Sequence, residues 1–185
     1  MIGPEHLRRR TEAFQRRLAD GGVDAALLTD PDAIAYLAGV WNYLGVEWGR
    51  PTFLVIPRDD APRLVTPLME SDMAGRMTWL SDVRPWQDGG DEWAGVLTDT
   101  LPAGIETLGI EAAKTHAPAR AYVDGLDAAV VDIGRALGEM RMIKDADEIA
   151  VMRQAGEVAV AAVEAGRGAI AEGVPEYEML SLIHI

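Results

Sequence analysis

Cysteine is absent from the 185 residues of this chain. That absence excludes disulfides, thiolate metal sites and cysteine nucleophiles together, and it suits a reducing compartment. No apolar run approaches the roughly 18–20 residues that a membrane span needs. The opening MIGPEHLRRR has no apolar stretch behind its charges, so no secretory signal is visible. A cytoplasmic protein without membrane contact is the expectation. Positive charge is scarce too: 17 Lys and Arg stand against 30 Asp and Glu, a net charge of -13. Such a surface repels phosphate backbones unless a local basic patch exists. The densest basic run, Arg8, Arg9, Arg10, Arg16 and Arg17, is interleaved with Glu5, Glu12 and Asp20. It reads as a solvated helix face, and nucleic acid is not expected as a partner.

Catalytic signatures are equally thin. His6, His116 and His184 have no partner histidine at ligand spacing, although His116 precedes APAR and could cap a helix. Ser71, Ser81 and Ser181 lack a nucleophile-elbow pattern. No G-x-G-x-x-G or G-K-[ST] occurs to cradle a phosphate. Two carboxylate pairs remain, Asp30 with Asp32 and Glu70 with Asp72. Carboxylates converging at sheet ends can hold Mg²⁺. Both pairs instead sit at helix starts, where acids satisfy free N–H groups and the helix dipole. The expectation is therefore no catalytic residue, no metal ligand and no cofactor in this chain.

What is present is an ordinary globular composition, 49% hydrophobic and 25% charged. Leu7, Phe14 and Leu18 recur at helical spacing, and Gly21 and Gly22 supply a left-handed stop. DAALLTD reads as a strand, and PDAIAYLAG as a helix with proline at its start and Gly39 at its end. TFLVIP and PRLVTP, separated by RDDA, predict a hairpin. LMESDMAGRMTWL is a helix, and DVRPWQ an edge strand because Pro85 cannot donate to a ladder. DEWAGVLTDTL (helix), TLGIEA (strand), APARAYVDGL (helix), AAVVDI (strand) and GRALGEMR follow. The alternation predicts an α/β fold, a mixed sheet covered by helices in three layers. Past Arg141 strand signals vanish. Asp145 and Glu148 open a helix expected over 145–172, with a stripe of Ile149, Met152, Ala155, Ala159, Ala162 and Val163. Gly173 should end it and Pro175 begin another. Two parts follow, 1–141 and 142–185.

Three stretches together resemble the prolidase, aminopeptidase P and creatinase family. RRLADGGVDAALLTDPDAIAYLAGV resembles its opening, with the P-x-x-I-x-Y-L-x-G element. MRMIKDADEIAVMRQAG resembles the R-x-I-K-x-x-x-E-I junction into its catalytic domain, and AEGVPEYEM the G-x-x-E-x-E beyond. The resemblance implies a ribonuclease-H-like creatinase N-terminal domain, then helices that begin a pita-bread domain. It implies a homodimer in the full-length protein and a peptide or small-molecule substrate. It also implies two divalent metals (Mn, Co or Zn) in a catalytic domain downstream of residue 185, if the parent is a peptidase. Creatinase shares the fold without a metal. On this reading the 185-residue chain is inactive alone, and serves dimerisation and substrate access.

One connection stands out. GVWNYLGVEWGRP, residues 39–51, is long and rich in aromatics and glycine, a composition suited to contact surfaces. By resemblance it approaches a partner subunit's active site. Asn42, Tyr43, Trp48 and Arg50 are the candidate substrate or partner contacts; the alternative is that the aromatics pack on their own domain. Two other readings stay open. One is a stand-alone creatinase-like interaction module, and the other the N-terminal part of a non-peptidase amide or amidine hydrolase. A small carboxylate-metal enzyme is a further possibility, tested by calorimetric titration with Mg²⁺ or Mn²⁺.

Overall fold

The computed structural model describes residues 2–42, 44, 50–87, 89 and 92–183. Gly3–Met142 forms one compact unit, and the chain from Ile143 onward belongs to a second.

In the first unit the elements run α1 (Pro4–Asp20), β1 (Ala25–Leu28), α2 (Pro31–Ala38), β2 (Phe53–Pro57), β3 (Arg63–Pro67) and α3 (Leu68–Met77). They continue as β4 (Val83–Trp86), α4 (Glu92–Thr100), β5 (Thr107–Ile110), α5 (Ala117–Asp124), β6 (Ala129–Asp132) and α6 (Gly134–Met142). The six strands form one sheet in the order β4-β3-β2-β1-β5-β6. β2 runs antiparallel to both neighbours, and the pairs β1–β5, β5–β6 and β3–β4 are parallel. Leu27 stands between Val55 of β2 and Ile110 of β5, in the middle of the sheet. Pro85 lies in β4, which among the described strands pairs with β3 alone and so sits at the edge, where a residue without an N–H is tolerated.

β1 and β2 are buried along their whole length because both faces of the sheet are covered. Alternate residues supply two cores. Ala26, Leu28, Leu54, Ile56 and Leu64 meet Phe14 and Leu18 of α1, Ile34 and Leu37 of α2, Ala74 of α3 and Leu137 of α6. Ala25, Leu27, Phe53, Val55, Val65, Leu108 and Ile110 meet Leu97 of α4 and Ala119 and Val123 of α5. Each fully buried Leu, Ile, Val or Phe contributes about 1.5–3 kcal/mol over its exposed state. Three layers result because a sheet apolar on both faces needs helices on both.

The helix ends follow the expected chemistry, with two differences. Gly22, at φ 66, takes the left-handed conformation after α1, whereas Gly21 stays right-handed at φ -87. Gly21 still donates its N–H to Arg17 O, which closes the last turn before the chain reverses. In the second unit α7 (Ala146–Ala169) stops short of Gly173, with Ile170 as its cap. Gly173 instead takes φ 84 in the turn before α8 (Glu176–Ile183). Asp145 and Glu148 form the capping box: the Asp145 carboxylate accepts from the Asp147 and Glu148 N–H, and Glu148 accepts from the Asp145 N–H. Ile149, Met152 and Val163 of the apolar stripe are exposed.

Candidate functional site

Asn42 and Arg50 lie at the two ends of the connection between α2 and β2; Tyr43 and Trp48 lie outside the described residues. The N-terminal end is tightly held. Gly39 closes α2 at φ 78, and a Cβ there would stand 2.7 Å from Leu7 Cδ1. Val40 and Asn42 are buried at 1% and 2% exposure, while Trp41 points outward at 49%. Leu44 donates its N–H to Glu70 Oε1 at 3.0 Å, and Glu70 is itself 5% exposed in the first turn of α3. Asn42 Oδ1 and Glu70 Oε2 are buried without a hydrogen-bond partner among the described residues. Glu70 therefore pins the connection through its side chain, and α3 begins without a side-chain cap.

The C-terminal end is held as firmly. Arg50 Nη1 lies 2.9 Å from Met69 Sδ, and Trp86 Nε1 donates to Pro51 O at 3.0 Å. Thr52 and Thr66 share a buried hydroxyl–hydroxyl bond at 3.0 Å across β2 and β3. Both described ends of the long connection are thus fastened to the first unit.

The other polar concentration lies where β1, β5 and β6 end, at one edge because they run parallel. In sheets of this kind that edge commonly carries the ligand site. Asp30 follows β1, Glu111 follows β5, and Asp132 ends β6. Asp30 accepts the Ala33 N–H at 3.3 Å and caps α2, as its position in the sequence implied. Lys114 Nζ lies 3.4 Å from Asp30, and Arg141 lies 3.8 Å from Asp30 and 3.6 Å from Asp32. Asp132 Oδ1 accepts from Gly134 N at 2.9 Å and Ala112 N at 3.2 Å, which holds its carboxyl below the usual carboxylate range. Glu111 is different. Burial first, and then the negative charge of Asp30, push its carboxyl up to about 7.

Glu111 escaped sequence reasoning. Its only signal is its position directly after the apolar run TLGI, which matters once β1 and β5 are known to be parallel. His116 caps α5, its Nδ1 accepting the Ala119 N–H at 3.3 Å, and burial lowers its pKa. Asp72 pairs with Arg76 on the exposed face of α3. Among the described residues no group of three or more His, Asp or Glu could hold a metal ion. The divalent ions that the resemblance implies were expected downstream of residue 185, and the described residues offer no set of ligands for them.

A family model described as the creatinase/prolidase N-terminal domain matches residues 10–143. Among curated proteins, the YkvY protein of Bacillus subtilis, which bears a dipeptidase name, is 27% identical over 180 residues, covering 94% of this chain and 48% of its own. An agropine synthesis cyclase of Rhizobium rhizogenes is 26% identical over 181 residues, covering 92% of this chain and 45% of its own. The crystal structure of an X-Pro aminopeptidase from Thermotoga maritima superposes with a TM-score of 0.77 at 22% identity, over 94% of this chain and 47% of that one. The chain thus spans about half the length of the curated relatives it matches.

Proposed function

Because the chain belongs to the creatinase/prolidase N-terminal domain family, we propose that it is the dimerising and substrate-access domain of an Xaa-Pro peptidase-like hydrolase. It performs no hydrolysis by itself. The observation that carries this reading is the connection between α2 and β2. Buried Asn42, the Leu44–Glu70 bond and the anchored Arg50–Thr52 stretch brace it from both ends. Fastened ends suit a connection whose residues contact a partner or substrate. Asn42, Tyr43, Trp48 and Arg50 are its contact residues, and a second subunit of the same protein is the partner they face.

The test uses the purified 185-residue chain with Mn²⁺ and an Xaa-Pro dipeptide. No proline release above a metal-only blank is expected; sustained release removes the claim that catalysis lies outside these residues. Sedimentation of the protein across a concentration series addresses the dimer, and a strictly monomeric species at all concentrations counts against it. A second reading is favoured by the similarity to the agropine synthesis cyclase: the N-terminal domain of a relative whose substrate is a small metabolite.

A further inference from the structure

Glu111 has no task in the substrate-access reading, yet it is built with care. The side chain is 8% exposed, and Oε2 has no hydrogen-bond partner among the described residues. It lines a cavity of about 340 Å³ between the segment after β5 and helix α6, together with Ala113, Lys114, Asp132, Arg135 and Arg141. α6 turns Gly134 and Gly138 toward this space, and a Cβ on Gly138 would meet nothing within 4 Å. Room is therefore left where Gly138 lacks a side chain, whereas a Cβ on Gly134 would stand 3.1 Å from Asp132 Oδ1. A volume at the low end of ligand pockets suits a molecule of a few heavy atoms.

The charges are sorted by depth. The buried wall is the Glu111 carboxyl. Side-chain exposures of 37% for Arg141, 55% for Lys114 and 91% for Arg135 place the cations toward solvent. Those cations already face carboxylates: Lys114 and Arg141 face Asp30, Arg141 also faces Asp32, and Arg135 faces Glu139. The Arg135–Glu139 pair, exposed on both sides, is weak and opens readily to a further anion, whereas Asp30 is 9% exposed and holds Lys114 and Arg141 more firmly. A lone anion would bring no donor to the Glu111 carboxyl that lines the cavity. Among the described residues a divalent cation finds no set of three ligands here. A molecule with an ammonium at one end and a carboxylate at the other offers a partner to both ends and brings no net charge of its own.

We propose that this cavity binds a small zwitterion of the α-amino acid class, its ammonium on the Glu111 carboxylate and its carboxylate toward Arg135 and Lys114. The site is independent of the hydrolase reading, since it uses none of the residues assigned to the contact loop. Proton balance follows from the surroundings. In the empty cavity burial, Asp30 and Asp132 hold a proton on Glu111 near neutral pH, against Arg141 and Lys114. An arriving ammonium supplies the charge instead, so Glu111 ionises and one proton leaves to solvent. Binding must then tighten as pH rises through about 7.

The experiment titrates L-alanine into the isotope-labelled 185-residue protein, following backbone amide resonances and, in parallel, heat in two buffers of different ionisation enthalpy. Saturable shifts centred on Glu111, Gly134 and Gly138 are expected. Affinity should be about tenfold higher at pH 8 than at pH 6, with buffer-dependent heat. Glu111→Gln should weaken binding and flatten the pH dependence. Arg135→Ala, at an exposed position, should weaken it at every pH without flattening it. N-acetyl-L-alanine, which lacks the ammonium, should not bind. Absence of saturable shifts up to the ligand's solubility overturns the proposal. So does binding that Glu111→Gln leaves unchanged, or equal binding of the acetylated compound.

Discussion

Replacing Glu111 by Gln should make the folded domain more stable at pH 8 and leave it nearly unchanged at pH 5. A carboxyl raised from its ordinary value of 4.5 to about 7 binds its proton more tightly when folded than when unfolded. The stability linked to that proton is fully present below the ordinary value and is lost as pH rises through about 7. Each unit of displacement corresponds to about 1.4 kcal/mol. With relaxation around a partly solvated cavity, about 1–3 kcal/mol should disappear between pH 5 and pH 8. Gln keeps the shape, carries no charge and removes the loss. Urea unfolding followed by tryptophan fluorescence measures this in the right unit, because Trp41, Trp48, Trp79, Trp86 and Trp93 all precede residue 142. Comparing wild type with variant is essential, since other groups slope the opposite way. Asp24, Asp82, Asp132 and Glu139 have lowered pKa values and cost stability only below the usual carboxylate range. His116, lowered from 6.5, costs stability as pH falls through its folded value. Parallel pH profiles for wild type and Glu111→Gln would refute the reasoning.

Glu70→Ala should cost about 1 kcal/mol by removing the acceptor of the half-buried Leu44 N–H, and should speed proteolysis within residues 41–50. Glu70→Gln, which keeps an acceptor oxygen, should cost less; equal proteolysis in all three proteins argues against the pin. Gly109→Ala should destabilise by about 1–3 kcal/mol, because its Cβ would stand 2.7 Å from Ile133 Cγ2 and 3.1 Å from Val23 Cγ1. Combining it with Ile133→Val should recover part of the loss in thermal unfolding, and strict additivity would show that the clash lies elsewhere. Asp145→Ala should cost about 1 kcal/mol of local helix stability. Faster amide exchange over 146–149 with unchanged tryptophan fluorescence is the signature to look for.

The secondary structure of the first unit was legible from the sequence almost element by element, because each element carries its own local reasons. Pro31 and Gly39 bracket α2, Pro85 marks β4 as an edge, and RDDA separates two β-branched runs into a hairpin. These signals depend on neighbours within a turn or two, so they survive without knowledge of the rest. The end of α7 was less legible. Gly173 is a valid stop, but the helix closes three residues sooner at Ile170, a difference that glycine chemistry alone cannot register. Glu70 was misjudged for a similar reason. An acid in the first turn of a helix reads as serving that helix, whereas its carboxylate reaches Leu44 on another connection.

From the sequence alone came the three-layer α/β class, the caps at Asp30, His116 and Asp145, and the likeness to the creatinase/prolidase N-terminal domain. All of these rest on residue order over short distances. Tertiary structure alone decided that Asp30, Glu111 and Asp132 share one edge of the sheet, and that Glu111 is buried there beside an open cavity. The physical reason is the sheet order. β1 pairs with β2 and β5, and β5 with β6, so residues about 80 and 100 positions from Asp30 become its neighbours. No period of 2 or 3.6 along the chain encodes that approach, and burial, which sets the charge state of Glu111, exists only once the approach is made.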